Sequence, residues 1–148
     1  MNYRLLIALL IIIFSLNIII AENDSPTGSW QTVDDKTGRV KSFVEIREEN
    51  GKLFGKITKL FRLPDENPEP VCDKCKGEKK DKPVLGMTIL WDLSRNKEIW
   101  SGGKILDPEN GKTYKCKIKV IDNGNKLEVR GFIGFSLLGR TQYWERIE

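Results

Sequence analysis

From Gly28 to Arg146 the chain is a succession of strand-length segments, each ended by a strong turn signal, with no stretch that sustains helical apolar spacing. Val40, Ser42, Val44 and Ile46 alternate with Lys41, Glu45 and Arg47, with Phe43 as the exception. Tyr114, Cys116, Ile118 and Val120 alternate with Lys115, Lys117 and Lys119, and Leu127 and Val129 with Glu128 and Arg130. This two-residue period describes strands with one buried and one wet face. Between them lie Asp34-Asp35-Lys36-Thr37-Gly38, Asn50-Gly51, Asp107-Pro108-Glu109-Asn110-Gly111 and Asp122-Asn123-Gly124. Such residues supply the positive φ angles of tight hairpins.

The pattern predicts about eight strands, at roughly 28–33, 39–48, 52–62, 85–92, 98–106, 112–121, 126–133 and 138–147. Hairpin after hairpin with no helix between them is an up-and-down meander, and a meander of this length exposes two edges unless it closes. We therefore expect an all-β fold, a single antiparallel up-and-down barrel. Gly102, Gly103, Gly131, Gly134 and Gly139 fall in or beside strands, where barrel walls bend or bulge. The interior of an eight-stranded barrel is either filled by side chains or wide enough for one small ligand.

Residues 1–21 are of another kind. Arg4 is their one charge, and the run from Leu5 to Ile20 is broken only by Ser15 and Asn17. A basic start, an apolar run and Ala21 before the cut read as a cleaved export signal. The competing reading is an uncleaved anchor, because Ile19 is bulky for its place before the cut; the run is, however, slightly shorter than the ~20 residues of a membrane span. Removing 21 of 148 residues leaves 127, enough for one domain over 22–148. We expect an exported protein, periplasmic or secreted, with no stable membrane span after cleavage.

The net charge of +4 falls to +3 without Arg4, and lysines alternate with acids along the length, so nucleic acid is not an expected partner. Histidine is absent, which removes the usual general base of hydrolases and the commonest zinc ligand. No catalytic residue, metal site or cofactor is expected. Asp92, Glu98 and Asp107 are the carboxylates available to an enzymatic reading, but they follow no recognisable spacing.

One stretch interrupts the rhythm. Residues 64–83 carry four of the six prolines, eleven charges and Cys72-Asp73-Lys74-Cys75, with little to bury. A loop insertion at about 64–84 is the expectation, and loops of this length are functional or disordered. After export, Cys72 and Cys75 are expected to form a disulfide across the base of this loop. It closes so short a ring that its entropic effect on the fold is small. A redox site would need a helix N-terminus to lower the thiol pKa, and zinc would need further ligands. Cys116 is expected as a buried free thiol.

Several residues invite a functional reading. Trp30 and Arg146 become neighbours if the last strand pairs with the first, and a guanidinium over the indole face would close that end of the barrel; we expect this role to be structural. Arg130, Arg140 and Gln142 share the final hairpin and would converge on an anionic group if they point inward. The balance favours both arginines lying outside, among Glu128 and Glu145. Trp91, Trp100 and Trp144, with Phe54, Phe61, Phe132, Phe135 and Tyr143, suffice either to line an apolar cavity or to fill a core. The candidate ligand-binding set is accordingly Trp91, Trp100, Arg130, Arg140, Gln142 and Trp144.

Taken together, Gly28-Ser29-Trp30, Cys72-Asp73-Lys74-Cys75-Lys76-Gly77, the run Trp100 to Pro108, Gly111-Lys112-Thr113-Tyr114, Val129 to Gly134 and Gly139 to Arg146 resemble the exported bacterial proteins of domain-of-unknown-function family 2147. That resemblance implies a small lipocalin-like β-barrel. The Gly-x-Trp opening with a late arginine is similar to the lipocalin signature, although the remaining lipocalin motifs are absent. The expected function is a non-enzymatic envelope protein whose barrel binds a small apolar or amphipathic molecule. The alternative is an interaction or structural protein with a solid barrel and the 64–84 loop as its partner contact.

Overall fold

A computed structural model describes residues 23–147; the expected export signal lies outside the described residues. Among them eight strands follow one another as β1 (Gly28–Val33), β2 (Val40–Glu49), β3 (Lys52–Leu60), β4 (Thr88–Asn96), β5 (Ile99–Asp107), β6 (Lys112–Ile121), β7 (Lys126–Phe132) and β8 (Gly139–Arg146). Each pairs antiparallel with the next, and β8 pairs back onto β1 to close the barrel. The helical content of the described residues is two three-residue 3-10 turns, Gly77–Lys79 and Asp122–Gly124. The turn clusters predicted from sequence lie between the strands, and β1 and β6 have the predicted bounds. The main shift is at β4, which starts at Thr88 because the preceding residues turn against β3: Gly86 donates to Ile57 O at 2.8 Å and the Ile57 amide to Met87 O at 3.0 Å.

The barrel is filled at one end. Trp30, Ile46, Leu53, Leu93, Trp100, Ile118 and Leu127 are all buried, brought together by the strand alternation that faces them inward. They form a floor where β1 begins and β8 ends. Burial of each such side chain contributes about 1.5–3 kcal/mol.

Below this floor the two chain ends are clasped. The Arg146 guanidinium lies 4.2 Å from the centre of the Trp30 ring. Its nitrogens donate to three carbonyls: Nε to Gly124 at 2.6 Å, Nη1 to Thr27 at 2.9 Å and Nη2 to Ser25 at 2.7 Å. The Trp30 indole N–H donates to Pro26 O at 2.8 Å. The segment before β1 thus crosses the barrel end, pinned between Arg146 and the turn at 122–124. Gly124 has φ +89°, and a Cβ there would stand 2.7 Å from Asn23 O, so this turn requires glycine both for its backbone and for the crossing segment.

The segment between β3 and β4 departs from its expected character as a loop with little to bury. Cys72, Cys75 and Val84 are buried. Cys72 and Cys75 form the expected disulfide, with Cα atoms 5.3 Å apart. Val71 and Pro83 bridge the two arms, with Cys72 N–H donating to Lys82 O and Val84 N–H to Pro70 O, both at 2.9 Å. The disulfide turn sits on the β5–β6 turn: Cys72 Sγ lies 3.3 Å from the Pro108 carbonyl oxygen. Charge content hid this packing because the apolar groups concerned are the two sulfurs and one valine. Cys116 is the free cysteine of the described residues, and burial pushes its thiol up to about 12.

Two predictions follow from the clasp and the cysteines. Trp30→Ala is expected to destabilise by about 3–5 kcal/mol, and Arg146→Ala by about 2 kcal/mol or more, since three carbonyls lose a charged donor. In denaturant unfolding the double variant should lose about 1–2 kcal/mol less than the sum of the singles; additivity within error contradicts the stacking. Iodoacetamide at mildly alkaline pH should leave Cys116 unmodified in the folded protein and label it once denatured, because its thiolate is suppressed by burial. Labelling at equal rates in both states contradicts that burial.

Candidate functional site: the open end of the barrel

Above the floor the barrel is not filled. A cavity of about 990 Å³ opens to solvent at the end opposite the clasp. Its walls carry Ile57, Leu60, Ile89, Ile105, Leu106 and Val129, with Trp144 at the bottom. Two features leave the space open. Gly131 contributes no side chain to β7 where a Cβ would make only ordinary contacts, 3.5 Å from Ile105 Cγ2 and Tyr114 Cβ. Thr32 and Ser42, across β1 and β2, are small and satisfy each other with a hydroxyl hydrogen bond of 2.7 Å. The Gln142 amide adds a third polar group, its Oε1 accepting from the Trp144 indole N–H at 3.4 Å.

The rim is charged and internally paired. Its cations are Lys36, Arg39, Lys41, Arg62 and Arg140, and its acids Asp34, Asp35, Glu66, Asp73, Asp107 and Glu109, five against six. Arg39 meets Glu66 at 3.4 Å, Lys41 pairs with Glu109, and Arg140 pairs with Asp35, which also accepts from Gln142 Nε2 at 3.0 Å. Asp35 therefore ties the β1–β2 turn to β8 across the upper seam. Hydrogen bonds from the Thr37 backbone and hydroxyl and the Lys36 backbone hold the Asp34 carboxyl below the usual carboxylate range, and the Leu63 amide does the same for Glu66. Folded pKa values below the unfolded ones give stability that is present above the ordinary carboxylate range and lost as pH falls through the lowered values.

The sequence candidates divide around this cavity. Arg140, Gln142 and Trp144 line it, as do Phe61 and Phe132. Trp100 belongs to the floor beneath. Trp91 lies off the cavity, half-buried under Lys79, whose Nζ is 4.6 Å from its ring centre. Arg130 also lies off it, donating from Nε to Ser136 O at 2.6 Å and from Nη1 to Thr141 Oγ1 at 2.8 Å. The final hairpin thus separates the two arginines: Arg140 shares strand parity with Trp144, whereas Arg130 alternates with the buried Val129. Parity on β8 could have placed Arg140. Asp35, Thr32 and Ser42 carried no signal, being ordinary turn and strand residues whose partners stand on other strands. Among the described residues no group of three or more His, Cys, Asp or Glu is arranged to hold a metal.

The chain matches, over residues 28–146, the model of a family described as "Uncharacterized protein conserved in bacteria (DUF2147)". The chain belongs to this family. It is also similar to a solved structure, that of HP1028 from the human pathogen Helicobacter pylori, described as belonging to the lipocalin family; the two are 25% identical over 84% of each chain, with a TM-score of 0.71. No curated protein matches the chain. The family's barrel here is lipocalin-like: eight antiparallel strands, closed, with one end sealed and the other open.

The disulfide turn is part of the rim, and its seat depends on Gly111. With φ +67°, a Cβ at Gly111 would stand 2.1 Å from Lys74 O, so backbone meets backbone there. Gly111→Ala is expected to lift the 72–82 segment off the β5–β6 turn at a cost of about 1–3 kcal/mol. Limited trypsinolysis reads this directly: cleavage after Lys74, Lys76, Lys79 or Lys80 should be slow in the parent and fast in the variant. Equal rates contradict the docking of that segment.

Proposed function

We propose that this protein is an exported, non-enzymatic carrier, periplasmic or secreted, that holds one small apolar or amphipathic molecule in the upper half of its barrel. The observation that carries the reading is the cavity of about 990 Å³, with apolar side chains on its inner walls and charged ones around its mouth, open at one end and stopped below by a packed floor. Ligand sites are concave, mostly apolar and dressed with a few convergent polar groups, at volumes of roughly 300–1,000 Å³. The apolar part of a ligand would lie against Ile57, Ile89, Leu106, Val129 and Trp144. A hydroxyl or amide would find Thr32, Ser42 and Gln142. The rim, with four of its five cations already paired to acids and with six acids in all, favours a neutral or zwitterionic head over a strongly anionic one. Export is supported by the apolar run at residues 5–20 and by the Cys72–Cys75 disulfide, which persists in oxidising compartments. The lipocalin-family description of HP1028 agrees with a binding role. A solid-barrel interaction protein would need this upper space filled, and its partner loop is here seated on its own barrel.

A neutral environment-sensitive dye, N-phenylnaphthylamine, tests the reading. It should bind saturably with one-to-one stoichiometry. Gly131→Leu places a side chain in the cavity from a position that accepts a Cβ, and should weaken the dye by about tenfold or more while leaving the unfolding midpoint unchanged or raised. An absence of saturable binding, or equal binding by the variant, contradicts the carrier function.

A further inference from the structure

The turn joining β7 to β8, residues 133–138, projects from the rim with four large apolar side chains in solvent: Ile133, Phe135, Leu137 and Leu138 are 64%, 78%, 88% and 70% exposed. The turn has its own structure, Leu138 N–H donating to Phe135 O at 3.0 Å and Ile133 N–H to Leu138 O at 3.2 Å. Scattered exposed leucines need no explanation, but four large apolar residues in six consecutive positions mark a contact site.

The wall directly behind this tip is basic. Lys104 on β5 stands opposite Lys115 on β6, and Lys117 stands opposite Arg130 on β7. Like charges directly opposite one another across strands are destabilising. Among the described residues none of these four is in an ion pair, whereas Lys119, one position further along the same face of β6, pairs with Glu98 at 2.8 Å. The cations are tied to the tip: Arg130 Nε donates to Ser136 O at 2.6 Å, and Lys115 Nζ reaches Gly134 O at 3.5 Å. Lys115 is level with Phe132 at the base of the tip, and Lys117 two residues behind, about 7 Å at the rise of a strand.

We propose that the β7–β8 tip and this basic wall form a docking element that seats the open end of the barrel on an anionic phospholipid surface. Apolar side chains at the extremity with cations set back by about 5–10 Å reproduce the depth order of acyl chains beneath anionic headgroups. A lipid surface neutralises the like-charge pairs and covers all four apolar side chains at once. Ile133 and Leu138 also line the cavity, so docking brings its mouth to the bilayer. The docking does not require the cavity to be occupied, and it stands or falls separately from the carrier function.

The test uses the protein from Glu22 onward, which keeps every strand of the barrel and leaves out the apolar N-terminal run that would itself partition into lipid. It should co-sediment with vesicles of phosphatidylcholine mixed with phosphatidylglycerol and not with phosphatidylcholine alone, and release with rising salt. A triple variant, Phe135→Ser with Leu137→Ser and Leu138→Ser, should abolish the partitioning. Lys104→Gln with Lys115→Gln and Lys117→Gln should weaken it on the order of a hundredfold. All six positions except Lys117 are exposed, and unchanged near-ultraviolet dichroism confirms folding. Gly131→Leu, which blocks the cavity, should still co-sediment. The proposal is overturned if anionic vesicles are not bound or if the tip variant binds them as the parent does. It is equally overturned if sedimentation velocity shows the tip mediating self-association in place of lipid binding.

Discussion

Closure of this barrel rests on Arg146. Strands β7 and β8 share seven register pairs, from Lys126↔Glu145 to Phe132↔Gly139, but β8 and β1 share only Trp30↔Arg146 and Gln31↔Glu145. A seam of two rungs leaves most of both edges without ladder hydrogen bonds. One further main-chain bond, from the Ile147 N–H to Ser29 O at 2.9 Å, crosses it, and side chains hold the rest. At the floor Arg146 covers the Trp30 ring and gathers the carbonyls of Ser25, Thr27 and Gly124; at the rim Asp35 reaches from the β1–β2 turn to Arg140 and Gln142. Burial pushes the Arg146 pKa down from its ordinary value, yet arginine stays charged at any physiological pH, so the floor clasp does not switch off.

Everything above depends on that sealed floor. Because Trp30, Trp100, Leu53, Leu93 and Leu127 pack together to form it, the open space above becomes a pouch with one mouth. A ligand in a pouch is shielded on every side but one. The mouth is where a paired ring of charges, the disulfide-linked loop and the exposed apolar tip meet. Stability and recognition are therefore divided between the two ends: the packed end supplies the burial, and the open end carries the features that a partner or ligand would meet.

Much of this was legible in the chain. Asn50-Gly51 and Asp107 to Gly111 ended strands where hairpins end them, and the spacing of Trp30 and Arg146 from the two termini implied their contact once the barrel closed. Alternation placed Cys116, Ile118 and Leu127 inside. It did not reveal how far the core filled the barrel, because that depends on Thr32, Ser42 and Gly131 being small at facing positions on separate strands. Composition misled at residues 64–84: eleven charges concealed a segment whose two sulfurs and one valine pack inward. Asp35 was indistinguishable from any turn aspartate, since its partners Arg140 and Gln142 lie more than a hundred residues away. Sequence read locally shows which face a residue takes, and long-range pairs decide what that face meets.

The pouch is most directly tested by native mass spectrometry of the protein from Glu22 onward, purified without denaturant. The fold described here predicts a second mass species heavier by on the order of a few hundred daltons, one molecule per chain, released on collisional activation and missing from the Gly131→Leu variant. A single bare mass that also fails to take up any added amphipathic molecule would contradict it.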